Sequence, residues 1–359
     1  MLNRLAALAR PLAVDGHHAA AGLGLAIYAD HTGEHFGARE SGVEGVACVD
    51  DVARALVLWS DLWSRTKLPV AREWVDGLLA FCRWMQLDDG RFVNFVLDWS
   101  GIRNTDGITS RPNGASFWQA RGARAMAKVW RVFGDERARD DYRRARASFD
   151  DRPAGADARA VQILAALDAG DAPPDIGRWC DDMVSQRRGE VLLDAHDATE
   201  PHVWGHIQEG VLAMAGVALE RPDLIAVARR SADAYLVPLI AGGFDLPTVQ
   251  PYGAASAAFA MARLADATGE PRYAAAARDA QAWFDGRNPA GRAVYDREAG
   301  RVADGVDGLH LNPHSGAESN VVGAQALFDD VAAWLVRHPD ECVPPTRSSL
   351  RSDVNSAAS

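Results

Sequence analysis

Cysteine is scarce, and nothing that cysteine usually builds is present. Cys48, Cys82, Cys180 and Cys342 lie far apart and match no metal-ligand spacing, which argues against a zinc centre and suits a reducing compartment. No run of ~18 apolar residues occurs anywhere, so no membrane-spanning segment is expected. The opening MLNRLAALARPLAVDG is broken by Arg4, Arg10 and Pro11 and lacks the apolar core and cleavage site of a secretory leader. A cytoplasmic protein is the expectation. Positive charge is also short: the formal net charge is -11, which argues against nucleic-acid backbone binding and points to a neutral or weakly charged partner.

Other absences narrow the chemistry. A phosphate loop, a dinucleotide fingerprint and a nucleophile elbow are all missing, so no cofactor is expected. His202 and His206 have the i, i+4 spacing of two ligands on one helix face, but His202-Val203-Trp204-Gly205-His206 lacks the Glu of HExxH. No metal is expected there. Nor is there a fixed-period self-similarity, which excludes a repeat solenoid.

What the 359 residues do contain is helical periodicity. Apolar residues recur at i, i+3, i+4 and i+7 near 18–31, 50–66, 69–87, 115–133, 137–149, 155–169, 174–187, 205–219, 222–237, 251–268, 271–286 and 318–337. TKLP, FGDE, ERPD and TGEP make tight turns between several pairs, and Pro or Asp opens the following helix. Links at 32–49, 88–114, 188–204, 238–250 and 287–317 are long and rich in Gly, Asp, His and Trp. Tight and long links mostly alternate, as in a ring of helical hairpins with short turns at one face and long loops at the other. The expected fold is therefore all-α, an (α/α)6 toroid, spanning residues 1–343 as a single domain. Small β-hairpins are expected within 89–99 and 293–302, and the polar, Ser-rich 344–359 reads as a disordered tail.

Polar groups gather in the long loops and at the helix starts beside them. Asp50 and Asp51 open one helix with Arg54 a turn further on; a helix cap explains one of the two aspartates but not both. Arg91 and Asn94 follow in DGRFVNF. DAHDATEPHVWGHIQEG gathers Asp194, His196, Asp197, Glu200, His202, Trp204, His206 and Glu209. GGFDLPTVQPYGAAS supplies Asp245, Gln250 and Tyr252. The densest stretch, 283–319, interleaves Asp304, His310, Asn312 and Glu318 with glycines that let backbone turn tightly. Aromatics, amides and carboxylates in one cleft suit a saccharide, whose apolar faces stack on rings while polar groups bond its hydroxyls.

Several of these segments resemble a known family. VDDVARAL, DGRFVNF, SFWQARGARAMA, the 244–288 stretch and YDREAGRVADGVDGLHLNPHSGAESNV are similar to the helical-toroid domain of the six-hairpin glycosidase-like superfamily that is attached to, or encoded with, bacterial sugar-transferring enzymes. The family pattern reads DDNARAL, GRFRNF, an acidic turn before GRALWALG, FDQQPIEA and YDxxxGxCxDGL…NxNxGAEST. Asp50, Asp51, Arg54, Arg91, Asn94, Phe95, Asp245, Gln250, Pro251, Asp296, Asp304, Asn312, Gly316, Glu318 and Ser319 match it. Val52, Tyr252, His314 and the SRPNGAS turn depart from it. The resemblance implies a saccharide ligand and a glycosyltransferase partner.

Together these readings give a glycoside hydrolase with paired carboxylates, one protonating the leaving oxygen and the other activating water or attacking carbon. The expected catalytic residues are Asp50, Asp51, Asp245 and Glu318. Arg54, Arg91, Asn94, Trp204, Glu209, Gln250, Tyr252, Asp304, His310 and Asn312 are expected to bind substrate. The alternatives are a sugar epimerase using His206 or His310, and a non-catalytic saccharide-binding partner of a glycosyltransferase.

Overall fold

The computed structural model describes residues 1–13, 21–30, 32–42, 44–150, 155–171 and 173–345; the tail expected beyond 345 lies outside them. In chain order the helices are α1 (Leu2–Leu8), α2 (Val49–Thr66), α3 (Pro69–Met85), α4 (Phe117–Phe133), α5 (Glu136–Ala147), α6 (Ala156–Ala169), α7 (Pro173–Ser185), α8 (Gln208–Ala218), α9 (Pro222–Ser231), α10 (Val237–Ala241), α11 (Pro251–Thr268), α12 (Pro271–Gln281), α13 (Ala317–Ala326) and α14 (Phe328–Arg337). The tight turns form where the sequence places its breakers. Gly134, Gly170 and Gly269 end α4, α6 and α11 in the left-handed conformation that glycine adopts without strain. Pro69, Pro222 and Pro271 open the returning helices, where their missing N–H costs nothing. Trp59 of α2 and Trp74 of α3 lock one such hairpin, with rings parallel within 5° and centroids 4.8 Å apart.

Six helices form a closed inner ring. α2 packs on α4, α4 on α6, α6 on α8, α8 on α11, α11 on α13, and α13 returns to α2. The outer helices α3, α5, α7, α9 and α12 each pack on the inner helix before them, while α13 is backed by α1 and α14. This is an (α/α)6 toroid. Inner helices are buried nearly all round, as α2 illustrates from Asp51 to Ser60, so their composition rather than an apolar stripe marks them as core.

The structure corrects three sequence expectations. Of the helix expected at 18–31, the described residues 21–30 form none; 18–20 and 31 lie outside the described residues. Ala21–Leu25 instead pairs antiparallel with Ala9–Ala13, and Tyr28–Ala29 pairs with His35–Phe36. Gly24 leaves no room for a side chain beside Leu12 and Ala47, so a segment with helical apolar spacing lies flat as a strand over α3. The hairpin expected within 89–99 is also absent: Phe95–Val96 pairs with Ala47–Cys48, the strand leading into α2. The hairpin expected within 293–302 does form, Tyr295–Asp296 against Arg301–Val302. Finally, the helix expected at 222–237 runs on through a π turn, Ala232–Leu236, into α10. Pro238 has no N–H to continue the ladder, which explains the irregular turn before it.

Candidate active site

Because the tight turns sit at one face, the inner helices run parallel and present their N-termini to the long-loop face. Carboxylates occupy the first turns of four of them: Asp50 and Asp51 on α2, Asp157 on α6, Glu209 on α8 and Glu318 on α13. The partial positive charge of each helix end favours an anion there.

Two arginines tie this floor together. Arg54 Nη2 donates to Asp51 Oδ1 at 2.7 Å and to Glu318 Oε2 at 2.6 Å, and the guanidinium lies 4.9 Å from the Tyr252 ring centre. Arg121, on α4, pairs with Asp50 Oδ1 at 2.8 Å and donates to the Tyr252 hydroxyl at 2.9 Å. Asn94 accepts the Asp50 backbone N–H at 3.2 Å and donates to Asp50 Oδ2 at 3.4 Å. Trp204 meets Phe117 and Tyr252 edge to face, and its indole adds to the groups that hold Glu318 ionised. Asp50, Asp51, Arg54, Asn94, Trp204, Tyr252 and Glu318, drawn from five separated segments, therefore converge.

The carboxylates differ in environment. Asp51 is sealed, its side chain 4 % exposed, whereas Asp50 and Glu318 are 20 % and 31 % exposed. Burial, opposed by Arg54 and reinforced by Glu318, pushes Asp51 up to about 6. Burial would raise Glu318 as well, but Arg54, Arg121 and the Trp204 N–H outweigh it and hold Glu318 below its ordinary value. The Asp51 and Glu318 oxygens share one nitrogen, so they stand no farther apart than those two hydrogen bonds laid end to end.

The remaining expected residues fall elsewhere. Asp304 accepts from the Gly316 N–H at 2.9 Å and from the Ser319 hydroxyl, which makes it the clamp on the start of α13 that aims Glu318. Glu209 is fully buried, bonded to His206 Nε2 at 3.0 Å and to Ser231 at 2.6 Å. Arg91 is half exposed and grips Asp89 on its own turn. Asp245 is exposed on the loop before α11. His310 is exposed on the Gly305–Asp307/His310–Asn312 hairpin, and Asn312 accepts the His314 N–H within it. Gln250 borders a cavity of about 650 Å³, whose walls also include Glu200, His202, Trp204, Tyr235 and Pro247. Trp204 is the shared wall between this cavity and the Arg54 cluster.

Arg121 and Asp157 were not singled out from the sequence. Asp157 opens an Ala-rich inner helix that is buried almost throughout, and an acid at the start of such a run was its available signal. Arg121 stands in α4 beside Arg124, Lys128 and Arg131. His206 is fully buried between Asp194 Oδ1 at 2.8 Å and Glu209, and although burial opposes charge, these two carboxylates push it up to about 10.

Solved structures share this fold. A D-mannose isomerase superposes with a TM-score of 0.64 at 12 % identity, covering 91 % of this chain and 96 % of its own. A sugar epimerase from a ruminal bacterium gives 0.63 at 12 %, with 87 % and 92 % covered. A family 76 glycoside hydrolase from a bovine Bacteroides thetaiotaomicron strain gives 0.60 at 11 %, with 92 % and 76 % covered. No family model and no curated sequence matches the chain.

Proposed function

We propose that the chain is a carbohydrate-active enzyme that cleaves a glycosidic bond of a neutral saccharide held in the toroid cleft. The observation that carries this is Glu318: an ionised carboxylate, partly open to solvent and fixed by Arg54, in a cluster whose Trp204 also lines a cavity large enough for sugar rings. Glycosidic cleavage needs two reachable carboxyl groups. Asp50 is the second, since Asp51 is sealed behind Arg54 and Asp245 stands apart on its loop. Glu318 would activate water or attack carbon, and Asp50, once protonated and released from Arg121, would deliver the proton to the leaving oxygen. Asp51 positions Arg54 and, through it, Glu318. Trp204 and Tyr252 supply the ring faces and edges for stacking.

The solved relatives in fold include an epimerase, an isomerase and a glycoside hydrolase, and fold does not fix reaction. An epimerase would need a reachable base, and His206 is sealed between two carboxylates while His310 stands on an exposed hairpin. The test is a screen of aryl glycosides and oligosaccharides for release of reducing sugar, followed by E318Q and D50N. Each should lower kcat by about 1000-fold or more with the fold retained. Full turnover in both variants overturns the assignment; tight oligosaccharide binding with no product from any substrate would replace it with the non-catalytic binding partner of a glycosyltransferase.

A further inference from the structure

We propose that Asp157, Asp194 and His202 bind one divalent first-row transition ion, zinc or manganese, in the wall of the cleft. Their ligand atoms all lie within 4.8 Å of one another, with His202 Nε2 3.6 Å from Asp157 Oδ2 and 3.9 Å from Asp194 Oδ2. Ligands at ~2.0–2.2 Å around a tetrahedral ion stand about 3.4 Å apart, so the two His202 spacings need shorten by only a few tenths of an ångström, and the Asp157–Asp194 spacing starts from no more than 4.8 Å. One imidazole and two carboxylates are a borderline donor set that suits these ions.

Three independent features favour occupancy. First, the carboxylates are preset. His206 Nδ1 and Gln208 Nε2 hold Asp194 Oδ1 at 2.8 and 2.7 Å, and the His202 backbone N–H holds Oδ2 at 2.8 Å. Such support is what metal-ligating carboxylates receive. Second, Asp157 is 8 % exposed. Its Oδ1 takes the Ala158 N–H at 2.6 Å, while Oδ2 faces His202 Nε2 at 3.6 Å. Third, charge is unbalanced: Asp157, Asp194 and Glu209 are buried beside a single buried imidazole, His206. A buried carboxylate such as Asp157, whose nearest cationic partner is the half-exposed His202 at 3.6 Å, is costly, and a dication would compensate it.

The backbone also brings α6 to this spot. Gly155 lies so close that an added Cβ would stand 2.3 Å from the Asp194 carbonyl oxygen, and the Asp157 N–H meets that same oxygen at 3.4 Å. The His202 side chain is 48 % exposed and lines the cavity, so the ion's remaining positions would face whatever occupies the cleft. Asp157 comes from 45 residues before His202, which is why spacing within 202–206 did not reveal the set.

The full-length protein, stripped with chelator and dialysed, is titrated with Zn2+ and with Mn2+ by calorimetry, and bound metal is counted by mass spectrometry. One ion per chain is expected, weakened at least tenfold in D157N and in H202A, and unchanged in H338A, a control at an exposed histidine paired with Glu341. Since the His202 side chain is half exposed, H202A should fold, which circular dichroism verifies. Stoichiometry well below one, or binding that H202A leaves intact, overturns the proposal.

Discussion

Arg54 Nη2 sits 2.6 Å from Glu318 Oε2 although the two residues are 264 positions apart, and it is this contact that joins the first inner helix to the last. R54M would leave Asp51 buried without its cation. Breaking a buried pair by removing one partner costs about 3–5 kcal/mol, so urea denaturation should show a loss of that size. R54K, which keeps the charge but not the planar fork, should recover part of it.

Asp51 gives stability a characteristic pH dependence. It holds its proton up to about 6 in the folded chain against an ordinary value of 3.8, so between those values the folded state binds a proton the unfolded chain has released. Its contribution is full below about pH 4 and is lost as pH rises to about 6. Glu318 has the opposite sign, contributing above 4.5 and losing that contribution as pH falls. D51N should therefore remove a decline on the order of 3 kcal/mol between pH 4 and 6, read from denaturant midpoints at each pH. A decline of the same size in D51N would assign it to another group.

Gly316 and Gly134 should respond differently to alanine. A Cβ on Gly316 would meet the Ile27 carbonyl oxygen at 2.1 Å, where Ile27 accepts the Ala317 N–H. G316A must part the 27–29 segment from the start of α13, and a loss above about 2 kcal/mol is expected, with saccharide affinity falling alongside. Gly134 has open space and a φ of 66°, so G134A should cost about 1 kcal/mol through backbone strain alone. Equal Tm losses would contradict this contrast.

W204F keeps an aromatic wall but removes the indole N–H, one of the groups that hold Glu318 below its ordinary value. A hydrogen bond to a charged group is worth about 1.5–3 kcal/mol, so the Glu318 carboxyl should titrate higher than in the parent, measured by infrared difference spectroscopy against E318Q. An unmoved Glu318 would mean that Arg54 alone holds it ionised.

Much of this architecture is written in local chemistry. Gly134, Gly269, Pro222 and Pro271 mark turns that form as their residue types require, because capping is decided within a few residues. Asp50, Asp51, Arg54 and Glu318 were legible because first-turn acids and a nearby arginine exceed what capping needs. Leu23 and Leu25 were misread because apolar spacing alone could not reveal that the segment would pair with Ala9–Ala13. Arg121 escaped notice because α4 also carries Arg124, Lys128 and Arg131, among which one more basic residue does not stand out. The break at Leu327 between α13 and α14 has no sequence marker and no evident cause.

The meeting of α13 with α2 also orders events during synthesis. Arg54 is synthesised 264 residues before Glu318, so the nascent chain holds the Asp51–Arg54 pair without its third member until α13 arrives. A fragment stopping before residue 317 would therefore lack that third member, and it would expose the flanks of α2 and α11 that the last spoke covers.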